Sequence, residues 1–87
     1  MTESEIVRQL QAEGYGQVFV WEDASGARYP HHSHPGQTAH VVLAGAITIA
    51  TATGSRTYRA GDRFDVPAGE SHAAEVGPEG CRYVVAE

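Results

Sequence analysis

The sequence predicts a small all-β domain, a sandwich or barrel, preceded by one short helix. Three observations carry that prediction. β-rich runs of four to seven residues recur along most of the chain, glycine, proline and aspartate punctuate them, and the one stretch with helical spacing of apolar residues lies before Gly14. With 87 residues the chain holds one domain, near the lower size at which a hydrophobic core suffices unaided, so pairing as a homodimer is expected to help it.

Thr2 followed by Glu5 has the form of a capping box, and Ile6, Val7 and Leu10 then recur at helical spacing. A short helix is therefore expected within residues 1–14, its apolar side covering a sheet or a dimer seam. Gly16 to Trp21 is β-rich and is stopped by the turn-favouring run from Glu22 to Gly26. Further strands are expected at 27–32, 38–44, 46–52, 55–60, 63–66, 71–76 and 81–86. Their boundaries are set by Gly45, by Thr53-Gly54, by Gly61-Asp62, by Pro67 to Gly69 and by Gly77 to Gly80. Residues 16–86 thus form one β unit, with no tandem repeat, low-complexity tract or linker. Alternation places Thr38, His40 and Val42 on one face and Ala39, Val41 and Leu43 on the other, which is expected to meet the helix or a partner. Arg56 and Arg59 belong to a solvated edge.

All five histidines lie between Gly26 and His72. In an extended segment His32 and His34 point the same way and form a two-toothed clamp, while His31 and Ser33 face the opposite side. His40 can join the clamp's side from the next strand. His72 follows the Pro67-Ala-Gly69 turn and offers a long-range third ligand. Neutral imidazoles bind zinc, iron, copper and nickel without cancelling the ion's charge, so such a site stays strongly Lewis acidic.

Composition excludes other classes. A formal net charge of −5 leaves no basic stripe for a phosphate backbone, so nucleic acid is not an expected partner. No apolar run is long enough to span a membrane, and the first residues lack the pattern of a signal peptide, so a cytoplasmic protein with no membrane partner is expected. Cys81 is single and reads as a buried strand thiol in a reducing compartment. The sequence contains no zinc-protease helix motif, nucleophile elbow, phosphate loop or dinucleotide fingerprint.

The histidine-bearing stretch resembles the cupin family. That family's first motif is G-x5-H-x-H-x3,4-E-x6-G, matched here by Gly26, His32, His34 and Gly45, with Thr38 at the glutamate position. The second is G-x5-P-x-G-x2-H-x3-N, matched by Gly61, Pro67, Gly69 and His72, with Val76 at the asparagine position. The resemblance implies a cupin-type jelly-roll β-barrel of two antiparallel sheets with a metal inside. It implies as ligands His32, His34 and His72, joined by His40 where the strand shifts; otherwise His40 faces substrate. The implied cofactor is a divalent transition metal: iron, zinc, nickel, copper or manganese. Phe64, Val66, Val42, Ile47 and Ile49 are then expected to line the barrel.

Histidine-only sites in such barrels imply a metal-dependent dioxygenase or related enzyme acting on a small-molecule substrate. A non-catalytic module that binds or senses a metal or small ligand is the other class. A structural barrel without metal is a third, disfavoured because clustered imidazoles would be left poorly satisfied. Candidate acids and bases are Glu70, Glu75, Tyr58, Asp65 and His40, with no preference among them.

Overall fold

The computed structural model describes residues 1–87 as one helix followed by six strands. They are α1 (Glu3–Ala12), β1 (Val18–Asp23), β2 (Arg28–His32), β3 (Thr38–Thr51), β4 (Gly54–Arg59), β5 (Arg63–Val66) and β6 (His72–Ala86).

The capping box forms as expected: Thr2 Oγ1 accepts from the Glu5 amide at 3.2 Å, and the Thr2 amide donates to Glu5 Oε1 at 2.9 Å. This satisfies two amides that the first turn would otherwise leave orphaned. Glu3 and Glu5 also place negative charge at the positive end of the helix dipole. At the other end the chain leaves the helix through Gly14.

All strand pairing is antiparallel and runs through β3 and β6. Ala39 to Gly45 pair with Cys81 to Ala86, with β1 added beyond β6 and β5 beyond β3. Ile47 to Ala50 pair with Ala73 to Val76, with β2 beyond β6 and β4 beyond β3. Two four-stranded layers therefore share two bent strands, and Val42, Phe64, Tyr83 and Val85 of one layer pack on Ile47, Ile49 and Val76 of the other. This is a small jelly-roll barrel, all-β apart from α1.

Two sequence expectations change here. Residues 38–44 and 46–52 are one strand, and so are 71–76 and 81–86. Gly45 and Gly80 do not end strands; they turn corners within them. Between the pairs Gly45 with Cys81 and Ile47 with Val76, residues 77–80 stand opposite Ala46 alone, which makes a bulge. Gly45 has φ of 77°, and a Cβ there would lie 2.0 Å from the Gly80 carbonyl oxygen. Only glycine permits both that dihedral and that approach.

The outward face of the β1–β6–β3 layer carries α1. Ile6 and Leu10 pack on Ala39, Val41, Val84 and Ala86, flanked by Val7, Val18, Val20 and Leu43. The set Ala39, Val41 and Leu43 thus meets the helix. Arg63 grips Glu13 through two hydrogen bonds of 2.8 and 2.7 Å, and Arg82 pairs with Glu3 at 2.7 Å, tying both helix ends to the sheet. Such solvent-screened pairs contribute little; burial of the apolar seam does most of the holding. No helix is long and apolar enough to cross a membrane.

Candidate metal centre

His32 ends β2, His72 begins β6, and the two stand directly opposite each other in the antiparallel register. That pairing unites two imidazoles forty residues apart in the chain. A register shift between Tyr29 and His32 bends the end of β2. His34 lies just past it, its carbonyl accepting the Gly69 amide at 2.8 Å, so the loop after β5 pins the segment that carries the clamp.

The three rings are mutually in contact, with centroids 4.8 Å apart for His32 and His34, 4.3 Å for His32 and His72, and 5.2 Å for His34 and His72. One ligand nitrogen from each lies within 4.8 Å of the others, close enough together to hold a metal ion. His32 Nδ1 lies 2.7 Å from the Pro30 carbonyl oxygen and His72 Nδ1 3.1 Å from that of Glu70. A carbonyl only accepts, so each Nδ1 carries a proton and Nε2 is the nitrogen left to face a metal, the arrangement by which proteins orient metal-binding histidines. Burial and the neighbouring His32 and His72 hold the His34 pKa below the usual histidine range. The donor set therefore suits a divalent transition metal: neutral imidazoles, two of them held by the backbone.

His31 and Ser33 are exposed on the opposite side, as alternation requires. His40 faces the barrel interior but lies outside the three-histidine group. Its ring stacks on Phe64, centroids 4.4 Å apart and planes 9° from parallel. Burial pushes its pKa down to about 4. Its Nδ1 is buried without a hydrogen-bond partner, and so is the hydroxyl of Thr38.

The cluster sits in the wall of a cavity of about 300 Å³. Phe64, Ile47 and Ile49 line it as expected, whereas Val42 and Val66 are packed in the core away from it. Of the candidate acids and bases, His40 lines the cavity, and Tyr58, Asp65, Glu70 and Glu75 do not. Asp65 is held instead by Arg63 at 2.8 Å and Glu75 by Arg28 at 3.2 Å, on the outside of the barrel.

Sequence reasoning missed a polar group behind the wall of this cavity, reached through the lining residues Trp21, Tyr29 and Tyr83. Asp23, only 9% exposed, accepts hydrogen bonds from Tyr29, Tyr83 and the Trp21 indole. In the sequence Asp23 sits in a run that signals a turn. Its phenol partners come from β2 and β6, and no local pattern announces them.

A two-layer antiparallel barrel with an imidazole cluster at its cavity defines a small β-barrel domain whose interior holds the candidate site. The chain belongs to the cupin family: the Cupin_2 family model, "Cupin domain", matches residues 19–87. A search of the curated proteins gives no match. Among solved structures, a cupin-2 domain containing protein from Shewanella frigidimarina NCIMB 400 superposes with a TM-score of 0.71 at 22% identity, over 82% of this chain and 68% of that one. A conserved protein with a double-stranded β-helix domain from Klebsiella pneumoniae matches at 0.67 and 29%, over 79% and 63%. The DMSP lyase DddQ from Ruegeria pomeroyi DSS-3 matches at 0.72 and 26%, over 79% of this chain and 36% of the lyase. This chain thus spans about a third to two thirds of the length of these similar proteins.

Proposed function

We propose that this chain is a metal-dependent enzyme in which His32, His34 and His72 hold a divalent transition metal and the adjoining cavity takes a small, largely apolar substrate. The observation that carries this reading is the grouping of three imidazole nitrogens within 4.8 Å in the wall of a 300 Å³ cavity. An ion held by neutral imidazoles keeps its full charge and, when bound, supplies Lewis acidity or, for redox-active metals, oxygen chemistry.

The chain's own residues supply orientation and surroundings. The Pro30 and Glu70 carbonyls fix the tautomers and ring planes of His32 and His72. Ile47, Ile49, Phe64 and Val85 form a low-dielectric wall that excludes water from the substrate and strengthens polar contacts inside. His40, with its pKa pushed down to about 4, offers the cavity a neutral imidazole and no charge at pH 7. The likeness to a lyase built on the same fold supports an enzymatic reading. A non-catalytic metal- or ligand-binding module is the second reading. It is favoured by one observation, that four of the five candidate acids and bases lie away from the cavity.

Elemental analysis of protein purified without an affinity tag, beside His32→Ala and His31→Ala, tests the site. About one metal per chain is expected in the parent and in His31→Ala, with near-complete loss in His32→Ala and release as pH falls through the histidine range. Equal metal content in all three proteins overturns the assignment. Substrate-dependent oxygen uptake after anaerobic loading with ferrous iron favours the oxygenase form of the enzyme. Bound metal with no turnover of any kind moves the conclusion to the binding module.

A further inference from the structure

The group around Asp23 is built for more than joining strands. Its Oδ1 accepts the Trp21 indole N–H at 3.0 Å and the Tyr29 hydroxyl at 2.5 Å, and its Oδ2 accepts the Tyr83 hydroxyl at 2.7 Å. All three donors are neutral, and none of the chain's ion pairs involves Asp23. The carboxylate is therefore solvated by the protein without being neutralised. Trp21, Tyr29 and Tyr83 line the cavity, and Asp23 stands behind them, outside the lining.

That arrangement determines what the wall can offer a ligand. Each phenol has committed its proton to the carboxylate, so only its oxygen lone pairs remain for a further partner. Donation to an anion polarises the phenol and makes that oxygen a stronger acceptor. The rings of Trp21, Tyr29 and Phe19 add negative π faces on the same wall. An anion meets only repulsion here. A neutral hydroxyl satisfies the hydrogen bond but not the charge, whereas a compact ammonium carries both the donors and the positive charge.

We infer that Tyr29 and Tyr83, backed by the carboxylate of Asp23 behind the wall, form a recognition site for a primary ammonium group on a small, largely apolar molecule in the cavity. The inference is separable from metal binding, because the hydroxyls of Tyr29 and Tyr83 both donate to Asp23 and Tyr29 approaches the three-histidine cluster only through its ring, 6.4 Å from His32 between centroids.

The test is an NMR titration of metal-free protein at about pH 8, where free histidines are neutral. The probes are 2-phenylethylammonium, 2-phenylethanol and 3-phenylpropanoate, alike in body and different in head group. The ammonium is expected to bind about tenfold more tightly than the alcohol, the carboxylate weakest, with the largest shift at the Trp21 indole N–H. Tyr29→Phe is expected to bring the ammonium down to the alcohol's affinity and leave the alcohol unchanged, while His32→Ala retains the preference. Equal binding of ammonium and alcohol overturns the inference. So does a preference lost in His32→Ala but kept in Tyr29→Phe, or an indole resonance that does not move. The parent protein's head-group ranking and indole shift decide the matter even where Tyr29→Phe fails to fold.

Discussion

The two faces of the β1–β6–β3 layer use the same strands for opposite purposes. Outward, Leu10 of α1 closes on Ala39, Val84 and Ala86, all at most 1% exposed, and the seam is wholly apolar. Inward, the residues one position along carry the polar groups: Thr38 and His40 on β3, Tyr83 on β6, Trp21 and Asp23 on β1. The outer face satisfies every rule of burial. The inner face breaks two of them, with Thr38 Oγ1 and His40 Nδ1 buried and unpartnered. A pleated strand can divide its work in this way because successive side chains see different environments. Both faces carry buried apolar packing, and the cost of polar burial falls on the inner one, which holds the candidate site.

Breaking the corner where the two layers join should have the largest effect on both faces. Gly45→Ala places a Cβ against the Gly80 carbonyl at a positive φ, and a loss of more than about 3 kcal/mol is expected. Urea denaturation followed by circular dichroism checks it; a variant as stable as the parent would show that the corner is not needed. Next comes Leu10→Ala, which should cost about 2–5 kcal/mol while leaving metal stoichiometry and cavity ligands unaffected in the folded protein. A specific loss of metal in that variant would abolish the proposed separation of the faces.

Acid titration then sharpens the inner face. The unfolded chain protonates His40 near 6.5, whereas the folded protein resists until about 4. Protons therefore favour the unfolded state: the stability contributed by neutral His40 is complete above about pH 6.5 and is lost as pH falls toward about 4, to the extent of about 3 kcal/mol. Metal-free His40→Phe should lose less stability over that interval than the parent does. Parallel pH profiles of the two proteins would remove His40 as the source.

Much of this was legible in the residues. Thr2 and Glu5 announced the helix, alternation in β3 assigned Ala39 and Val41 to one face and His40 to the other, and the turn before His72 set that residue at a strand start. Those are local signals. The corners were misread as strand ends because glycine marks a chain break and a bent, still-paired strand with the same residue; only the partner strand distinguishes them. Asp23 was misread because its turn-like neighbours are adjacent in the chain, whereas Tyr83 is 60 residues away. Of the acids and bases named from position alone, Asp65 and Glu75 turned outward to arginines.

By itself, then, the sequence determined the all-β class, the helix and its cap, the face each strand residue takes and the histidines available to a metal. These depend on period, capping and turn chemistry, which act over a few residues. The tertiary structure decided that β3 and β6 each run through two layers, that His32 stands opposite His72 while His40 lies outside their cluster, and that Asp23 meets two phenols at the same cavity. Those facts depend on strand register and on where a bulge falls, which are settled only when distant segments pack together.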